Sequence, residues 1–267
     1  GASERGIRIL CDYLSVIGLL GKTDGRYSLA PDAAVFLDRR SPAYMGTAAR
    51  FLISSSLKDA FRDVTGAVRK GGTVLDGDGT VQANNPLWVE FARGMAPLVR
   101  PAAECMAKLA GAEVTKVLDV AAGHGLFGIE VAKKSPNAEI HAVDWPAVLA
   151  VARENAEKAG VANRLHAVPG SAFEVDFGEG YDLALLTNFF HHFDRATCVG
   201  LMKKVHRVLV PGGRALTLEF VPHDDRVTPP QPAAFSFIML NTTRSGEAYT
   251  FAEYREMFRE AGFQKSE

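Results

Sequence analysis

The strongest constraint on this chain is the run Val117-Leu118-Asp119-Val120-Ala121-Ala122-Gly123-His124-Gly125, with Asp144 downstream in Ile140-His141-Ala142-Val143-Asp144-Trp145. A strand ending near a carboxylate, a glycine turn, a helix and a second strand ending in a carboxylate together build a nucleotide pocket. The small residues let the backbone approach a ligand, and Asp144 lies where a ribose diol takes a two-oxygen acceptor. The spacing predicts a site for an adenosine.

Gly123-His124-Gly125-Leu126-Phe127-Gly128 also reads G-x-G-x-x-G, the dinucleotide fingerprint, which alone is a weak signal. In a dinucleotide site the strand runs apolar into the glycines and the helix N-terminus receives a pyrophosphate. Here Asp119 intervenes. A carboxylate beside the turn repels a diphosphate but suits the ammonium and sulfonium of S-adenosylmethionine, so the charge argument favours that molecule over a nicotinamide cofactor.

With 267 residues, 47% of them hydrophobic, and a formal net charge of -1, the chain can bury one substantial core plus a smaller unit and has no bias toward a polyanion. It contains no apolar run of the ~20 residues that a membrane helix requires, and its first residues carry no signal-peptide pattern. Cys11, Cys105 and Cys198 are scattered and odd in number, which predicts a reducing, cytoplasmic setting and no structural metal.

Ile7, Leu10, Tyr13, Leu14 and Ile17 recur at helical spacing, with Ser3 as N-cap and Gly21 as stop. A small hairpin turning at Asp24-Gly25 follows, so helix plus wing gives half of a winged-helix unit and the sequence is expected to start inside a domain. Helix is expected from Ala43 to Lys70, loop from Gly71 to Thr80, and a helix with Leu87, Phe91, Met95, Leu98, Val99, Ala102, Met106 and Leu109 on one face, kinked at Pro97 and Pro101. Beyond Thr115, strands near 116–121, 139–143, 164–168, 181–187 and 213–220 alternate with helices. That alternation implies a parallel, doubly wound α/β sheet.

On Leu118 to Gly125, Val143-Asp144-Trp145-Pro146, Gly170-Ser171-Ala172-Phe173, His191 to Cys198, Pro211-Gly212-Gly213, and Ile238-Met239-Leu240 leading to Ala261-Gly262-Phe263, the chain resembles the class I S-adenosylmethionine-dependent small-molecule O-methyltransferases of the plant and bacterial type. These carry an N-terminal winged-helix dimerisation region. The resemblance implies a Rossmann-like methyltransferase domain over 101–267, expected to lack its last strands, behind a partial winged-helix and helical dimerisation region over 1–100. It implies S-adenosyl-L-methionine as cofactor and S-adenosyl-L-homocysteine as product. Cofactor contacts fall on Asp119, Ala121, Gly123, Gly125, Asp144, Trp145, Ser171, Ala172, Phe173 and Asn188. Two departures stand out: Ala121 replaces a family glycine, and Ser171 replaces the aspartate that takes the adenine amino group. Trp145 either covers an adenine face or plugs the core.

Asn188-Phe189-Phe190-His191-His192-Phe193-Asp194 follows an apolar strand, placing two histidines at the carboxyl edge where ligands of open α/β sheets bind. Methyl transfer from a sulfonium asks the protein to align the acceptor and remove its proton, and a histidine can do the latter near neutrality. By resemblance His191 is the base, and Glu219 at the next strand end is its carboxylate partner. The alternatives are that the histidines merely cap the following helix and that Glu219 is solvated. The family's second glutamate has alanine at its matching position, with Glu247 one residue out of step. Phe91, Met95, His192 and Met239 match positions lining the acceptor pocket, with Phe189, Phe190, Phe235 and Phe237 adding aromatic surface nearby.

The expected activity is therefore methyl transfer to a hydroxyl of a phenol- or quinol-like small molecule, by a homodimer joined through its N-terminal region. C- or N-methylation, or a non-methylating reaction on the same scaffold, stays open. A winged-helix DNA-binding regulator is the rival of another class, but Arg5, Arg8, Lys22 and Arg26 are balanced by Glu4, Asp12 and Asp24, so the basic face is missing. The sheet is expected to need two more antiparallel strands after the helix at Ala252 to Ala261, so a partial sequence or an edge supplied by a partner is anticipated.

Overall fold

In this computed structural model, which describes residues 1–267, Ser3 caps the first helix by accepting the Gly6 N–H. That helix, α1 (Glu4–Val16), buries none of its residues. The strands β1 (Leu20–Thr23) and β2 (Arg26–Leu29) pair antiparallel around Asp24 and Gly25, whose φ angles of 50° and 74° make the expected turn. A short α2 (Pro31–Phe36), not anticipated from periodicity, follows with Pro at its start.

The single helix expected over 43–70 is instead α3 (Ala48–Leu52), α4 (Ser55–Ala60) and α5 (Val64–Lys70). Ser54 and Asp63 break it, because their side chains accept from Leu57 N–H and Gly66 N–H and so start new helices. By contrast α6 (Leu87–Ala110) continues through Pro97 and Pro101 as one element. It packs on α3 at one end, where the Thr47 hydroxyl donates to the Gly94 carbonyl at 3.0 Å, and on two helices that cover the later sheet at the other. Residue 100, placed as a domain limit, thus lies inside a helix that belongs to both halves.

From there the chain alternates: β3 (Lys116–Val120), α7 (Leu126–Lys134), β4 (Glu139–Asp144), α8 (Pro146–Lys158), β5 (Leu165–Pro169), β6 (Tyr181–Thr187), α9 (Arg195–Val208) and β7 (Leu209–Leu218). The strands form one parallel sheet in the order β5-β4-β3-β6-β7. Side chains alternate across it: Val117, Ile140, Leu183 and Leu185 meet α6, α7 and α8, while Leu118, Val143, Ala184 and Leu186 join a core with α9 and the last helix. Strand order reverses between β3 and β6, which puts the crevice for a ligand at their carboxyl ends. Over that edge lies α10 (Pro230–Thr242), tied to segment 71–86 by Thr73 N–H to Thr243 O and Thr80 N–H to Thr242 O. The last helix, α11 (Phe251–Glu260), begins with a reciprocal cap between Thr250 and Glu253.

Candidate active site at the carboxyl edge of the sheet

After β3 the backbone turns left-handed at Ala121 (φ 54°), Gly123 (57°) and Gly125 (72°). The three glycines of the G-x-G-x-x-G run do different things. A Cβ on Gly123 would meet nothing closer than 3.8 Å, so the loop is open there, whereas one on Gly125 would stand 2.9 Å from the Ala152 side chain and one on Gly128 2.6 Å from Ile140. Gly123 leaves room for a ligand, and the other two let α7 pack closely.

Asp144 locks this loop to β4. One carboxylate oxygen accepts the Gly123 N–H at 2.8 Å and the other the Trp145 N–H at 2.7 Å. Burial pushes its pKa up to about 6 in spite of those two donors. Asp119 departs from expectation. It sits on the α7 face of β3, wholly buried, with one oxygen accepting the Gly128 N–H at 3.2 Å and the other without a partner. Desolvation first, and the nearby Asp144 second, raise its pKa to about 7. The carboxylate expected beside the turn, in a partly desolvated cleft next to a cationic ligand, is instead fully buried behind the glycine loop, because strand alternation points it at α7.

Along β4 and β5 the remaining predicted cofactor residues gather at the same edge. Trp145 is half-buried against a small cluster of Ala92, Val148 and Val151 that also holds Trp88, so it joins α6 to α8. Ser171 Oγ accepts the Phe173 N–H at 3.3 Å, Ala172 is buried and Phe173 is exposed at the rim. Asn188, at the end of β6, is left-handed at φ 51°. With Ala121 it makes a pair of non-glycine residues in that region on neighbouring strand ends, a conformation that costs about 1–2 kcal/mol each and concentrates at functional sites.

His191 lies in a tight turn (Phe190–His192) between β6 and α9. Its Nδ1 is 2.5 Å from Glu219 Oε2, and the two side chains are 4% and 1% exposed, so Glu219 is not a solvated strand-end residue. The other Glu219 oxygen accepts the N–H groups of Phe189 and Phe190, each at 2.8 Å. With Nδ1–H donated to the carboxylate, Nε2 is the ring nitrogen free to accept a proton. Neither histidine caps α9; Asp194 does, accepting the Thr197 N–H at 2.8 Å. His192 is buried with Nδ1 unpartnered, and burial followed by the adjacent His191 holds its pKa well below the ordinary value. It stays neutral.

Trp88, which sequence reasoning passed over, stands edge-on to His192 at 5.2 Å and to Phe91 at 5.8 Å. Its signal was present in the period, one helical turn before Phe91. Phe91 continues the wall to Phe51 at 5.2 Å and, nearly parallel, to His124 of the glycine loop at 6.2 Å. Met95 is half-buried one turn further along α6, and Met239 is buried on α10. Glu247 turns away to pair with Arg226 at 2.5 Å, while Ala248 is fully buried and its N–H donates to Ser236 Oγ. Gly246 is pressed onto the backbone of His191 and His192, with no room there for a side chain, and Glu219 is the carboxylate paired with His191.

Residues 81–264 match the O-methyltransferase domain family. The 3-hydroxy-5-methyl-1-naphthoate 3-O-methyltransferase of Streptomyces sahachiroi is 29% identical over 98% of this chain and 76% of its own length. The tetracenomycin polyketide synthesis 8-O-methyl transferase of Streptomyces glaucescens is 26% identical over 98% of this chain and 78% of its own. A crystal structure of a candidate O-methyltransferase from Nostoc punctiforme superposes with TM-score 0.97 at 52% identity, covering 100% of this chain and 81% of that one. Human N-acetylserotonin methyltransferase in complex with S-adenosylmethionine shares the fold at TM-score 0.83 and 20% identity, covering 99% of this chain and 79% of that one. With the match spanning the whole strand-and-helix alternation and both His191 and Glu219, this chain belongs to the O-methyltransferase domain family.

Proposed function

We infer that this chain is an S-adenosylmethionine-dependent O-methyltransferase acting on a hydroxyl of an aromatic small molecule. The observation that carries the reading is the buried His191–Glu219 pair, set at the sheet edge beside a glycine loop held by Asp144. The residues fit the cofactor: Gly123 leaves the loop open, and each Asp144 oxygen, with one N–H accepted, keeps a lone pair for a ribose hydroxyl. Trp145, Ser171, Ala172 and Phe173 would hold the adenine side. Ala121, Gly125 and Asn188 would shape the crevice between β3 and β6, and Asp119 braces the loop from behind.

When bound, S-adenosylmethionine supplies a methyl group already activated by its sulfonium. What remains for the chain is to orient the acceptor and take its proton. His191 Nε2 accepts the phenolic proton, and Glu219 stabilises the imidazolium that results. Phe91, Met95, Met239 and neutral His192, together with Trp88, give the acceptor a flat, apolar seat. Relatives named for naphthoate and polyketide hydroxyls support an aromatic acceptor.

The apolar face of α1 and its C-terminal cap, with Ile7, Leu10, Tyr13 and Ile17 about half exposed, supports a homodimer through the N-terminal region, built on a helix-plus-wing unit. Arg8 and Lys22 are both engaged by Asp12, which speaks against phosphate contacts. The cysteines stand as free thiols, in keeping with a cytoplasmic setting, and no helix is long and apolar enough to cross a membrane.

The test is incubation with methyl-labelled S-adenosylmethionine and a panel of phenols, followed by mass spectrometry of the products. Label on oxygen together with S-adenosylhomocysteine is expected. Label on carbon or nitrogen would move the reading to another acceptor atom, and tight NADH binding with no S-adenosylmethionine affinity would overturn it.

A further inference from the structure

The imidazole of His191 is flanked by three aromatic rings besides its bond to Glu219. Phe235 of α10 meets it edge-to-face at 4.9 Å and 78°, Phe220 at 5.9 Å and 68°, and His192 at 4.3 Å and 61°. Phe220 and Phe235 are themselves stacked at 3.7 Å and 10°. Phe220 directly follows Glu219, so this stack fastens the backbone bearing the carboxylate to the helix above it. Glu219 is the polar side chain bonded to His191, and a single hydrogen bond leaves a ring free to swing about its own bonds. Flat rings packed against it restrict that swing and shield the buried His191–Glu219 contact.

We propose that Phe235, braced by Phe220, is a positioning residue that sets the orientation of His191 for proton removal. The inference rests on the reading of His191 as the base. A base displaced by about 1 Å can cost on the order of 10²-fold in rate, and that loss falls on the proton-removal step rather than on cofactor binding.

The consequence separates acceptors by acidity. A phenol of pKa ~10 needs the base at pH 8, whereas a phenol acidic enough to be ionised at that pH does not. Phe235→Ala should therefore lower kcat on the weakly acidic phenol by roughly 30–100-fold and on the acidic phenol by less than about 5-fold, with S-adenosylmethionine Kd within about twofold. Phe235→Tyr, which keeps the ring, should retain most of the rate. Phe220→Leu should show the same selectivity in weaker form and carries the test should Phe235→Ala fail to fold. Equal losses on both acceptors, or no loss on either, would overturn the proposal. His191→Ala is run beside them: if it loses the weakly acidic phenol selectively and Phe235→Ala does not, this inference alone fails. If His191→Ala shows no selectivity, the assignment of the base fails with it.

Discussion

One oxygen of Glu219 takes the Nδ1–H of His191 while the other takes the N–H groups of Phe189 and Phe190, so a single carboxylate orients the imidazole and fixes the backbone that carries it. Replacing it by an amide forces a choice. In Glu219→Gln the amide oxygen can serve the two backbone donors, which turns an NH2 toward His191 and drives the proton to Nε2, the wrong nitrogen for a base. Single-turnover methylation should fall by about 10²–10⁴, as for other triad-like pairs whose tautomer is reversed. Calorimetry should show S-adenosylmethionine affinity little changed. An unaltered rate would mean that Glu219 only shapes the turn.

Asp144 joins the loop to β4 and is placed to hold the ribose. Asp144→Ala should weaken S-adenosylmethionine binding by about 1.5–3 kcal/mol, the range for losing hydrogen bonds to a charged group. Asp144→Asn keeps a carbonyl for the Gly123 N–H but cannot accept from both hydroxyls, so it should lie between. Titration calorimetry that finds all three proteins equal would remove Asp144 from the cofactor site.

The sheet was readable in the sequence because it rests on local patterns, alternating apolar runs and a glycine turn, whereas the His191–Glu219 partnership, between residues on two different strand ends, came from the family resemblance alone. Asp119 shows where such reading stops. Its place at the end of β3 was legible, but which face of the strand it takes depends on the register with β4 and β6, and that sends it under α7. Ala121, which stands where the family has glycine, adopts the left-handed region that glycine favours, and nothing in the sequence alone marks that conformation. The Trp88–His192 contact and the Phe220–Phe235 stack were hidden for another reason. They join α6 to the turn after β6 and α10 to the end of β7, and no sequence period marks a contact of that kind.

Asp119 also makes a prediction about pH. Its folded pKa near 7 lies above the ordinary 3.8, so the folded state holds the proton more tightly than the unfolded one. The stability this gives is fully present below about pH 4 and is lost as pH rises through about 7. His124, held down to about 4 by burial, acts in the opposite sense between pH 4 and 6.5, so the comparison has to be between variants rather than along one curve. Ligand-free Asp119→Asn should melt at least about 2 °C above the parent at pH 8, which for a chain of this size is about 1 kcal/mol, with the advantage shrinking through pH 5 and gone only near pH 4. A constant difference across that range would show that Asp119 does not titrate there.

The exposed stripe along α1 and its C-terminal cap carries Ile7, Leu10, Tyr13 and Ile17 at 48%, 51%, 59% and 49% exposure. Side chains of this kind are left in water at a cost of about 25 cal/mol per Å² of apolar surface, which burial against a second copy recovers. Light scattering at micromolar concentration should give a dimer, and the double substitution Leu10→Asp with Tyr13→Asp should give a monomer that still binds S-adenosylmethionine. A parent protein that is monomeric throughout would count against the N-terminal interface.

His191 and His192 are neighbours with opposite surroundings, and this separates their roles. His191 has a buried carboxylate on Nδ1, which can hold the positive charge that proton uptake creates. His192 has no such partner: it faces Trp88, Phe189 and His191 itself, and the environment that keeps it neutral opposes any gain of charge. Taking a proton there would place a cation beside the imidazole of His191 in an apolar wall. His191→Ala should therefore lower the single-turnover rate on a phenol of pKa ~10 by about 10²–10⁴ with S-adenosylmethionine affinity nearly intact. His192→Ala should act mainly on acceptor KM, through the lost ring against Trp88, and much less on the chemical step. Equal, small losses in both variants would mean that alignment alone drives the transfer or that another group takes the proton.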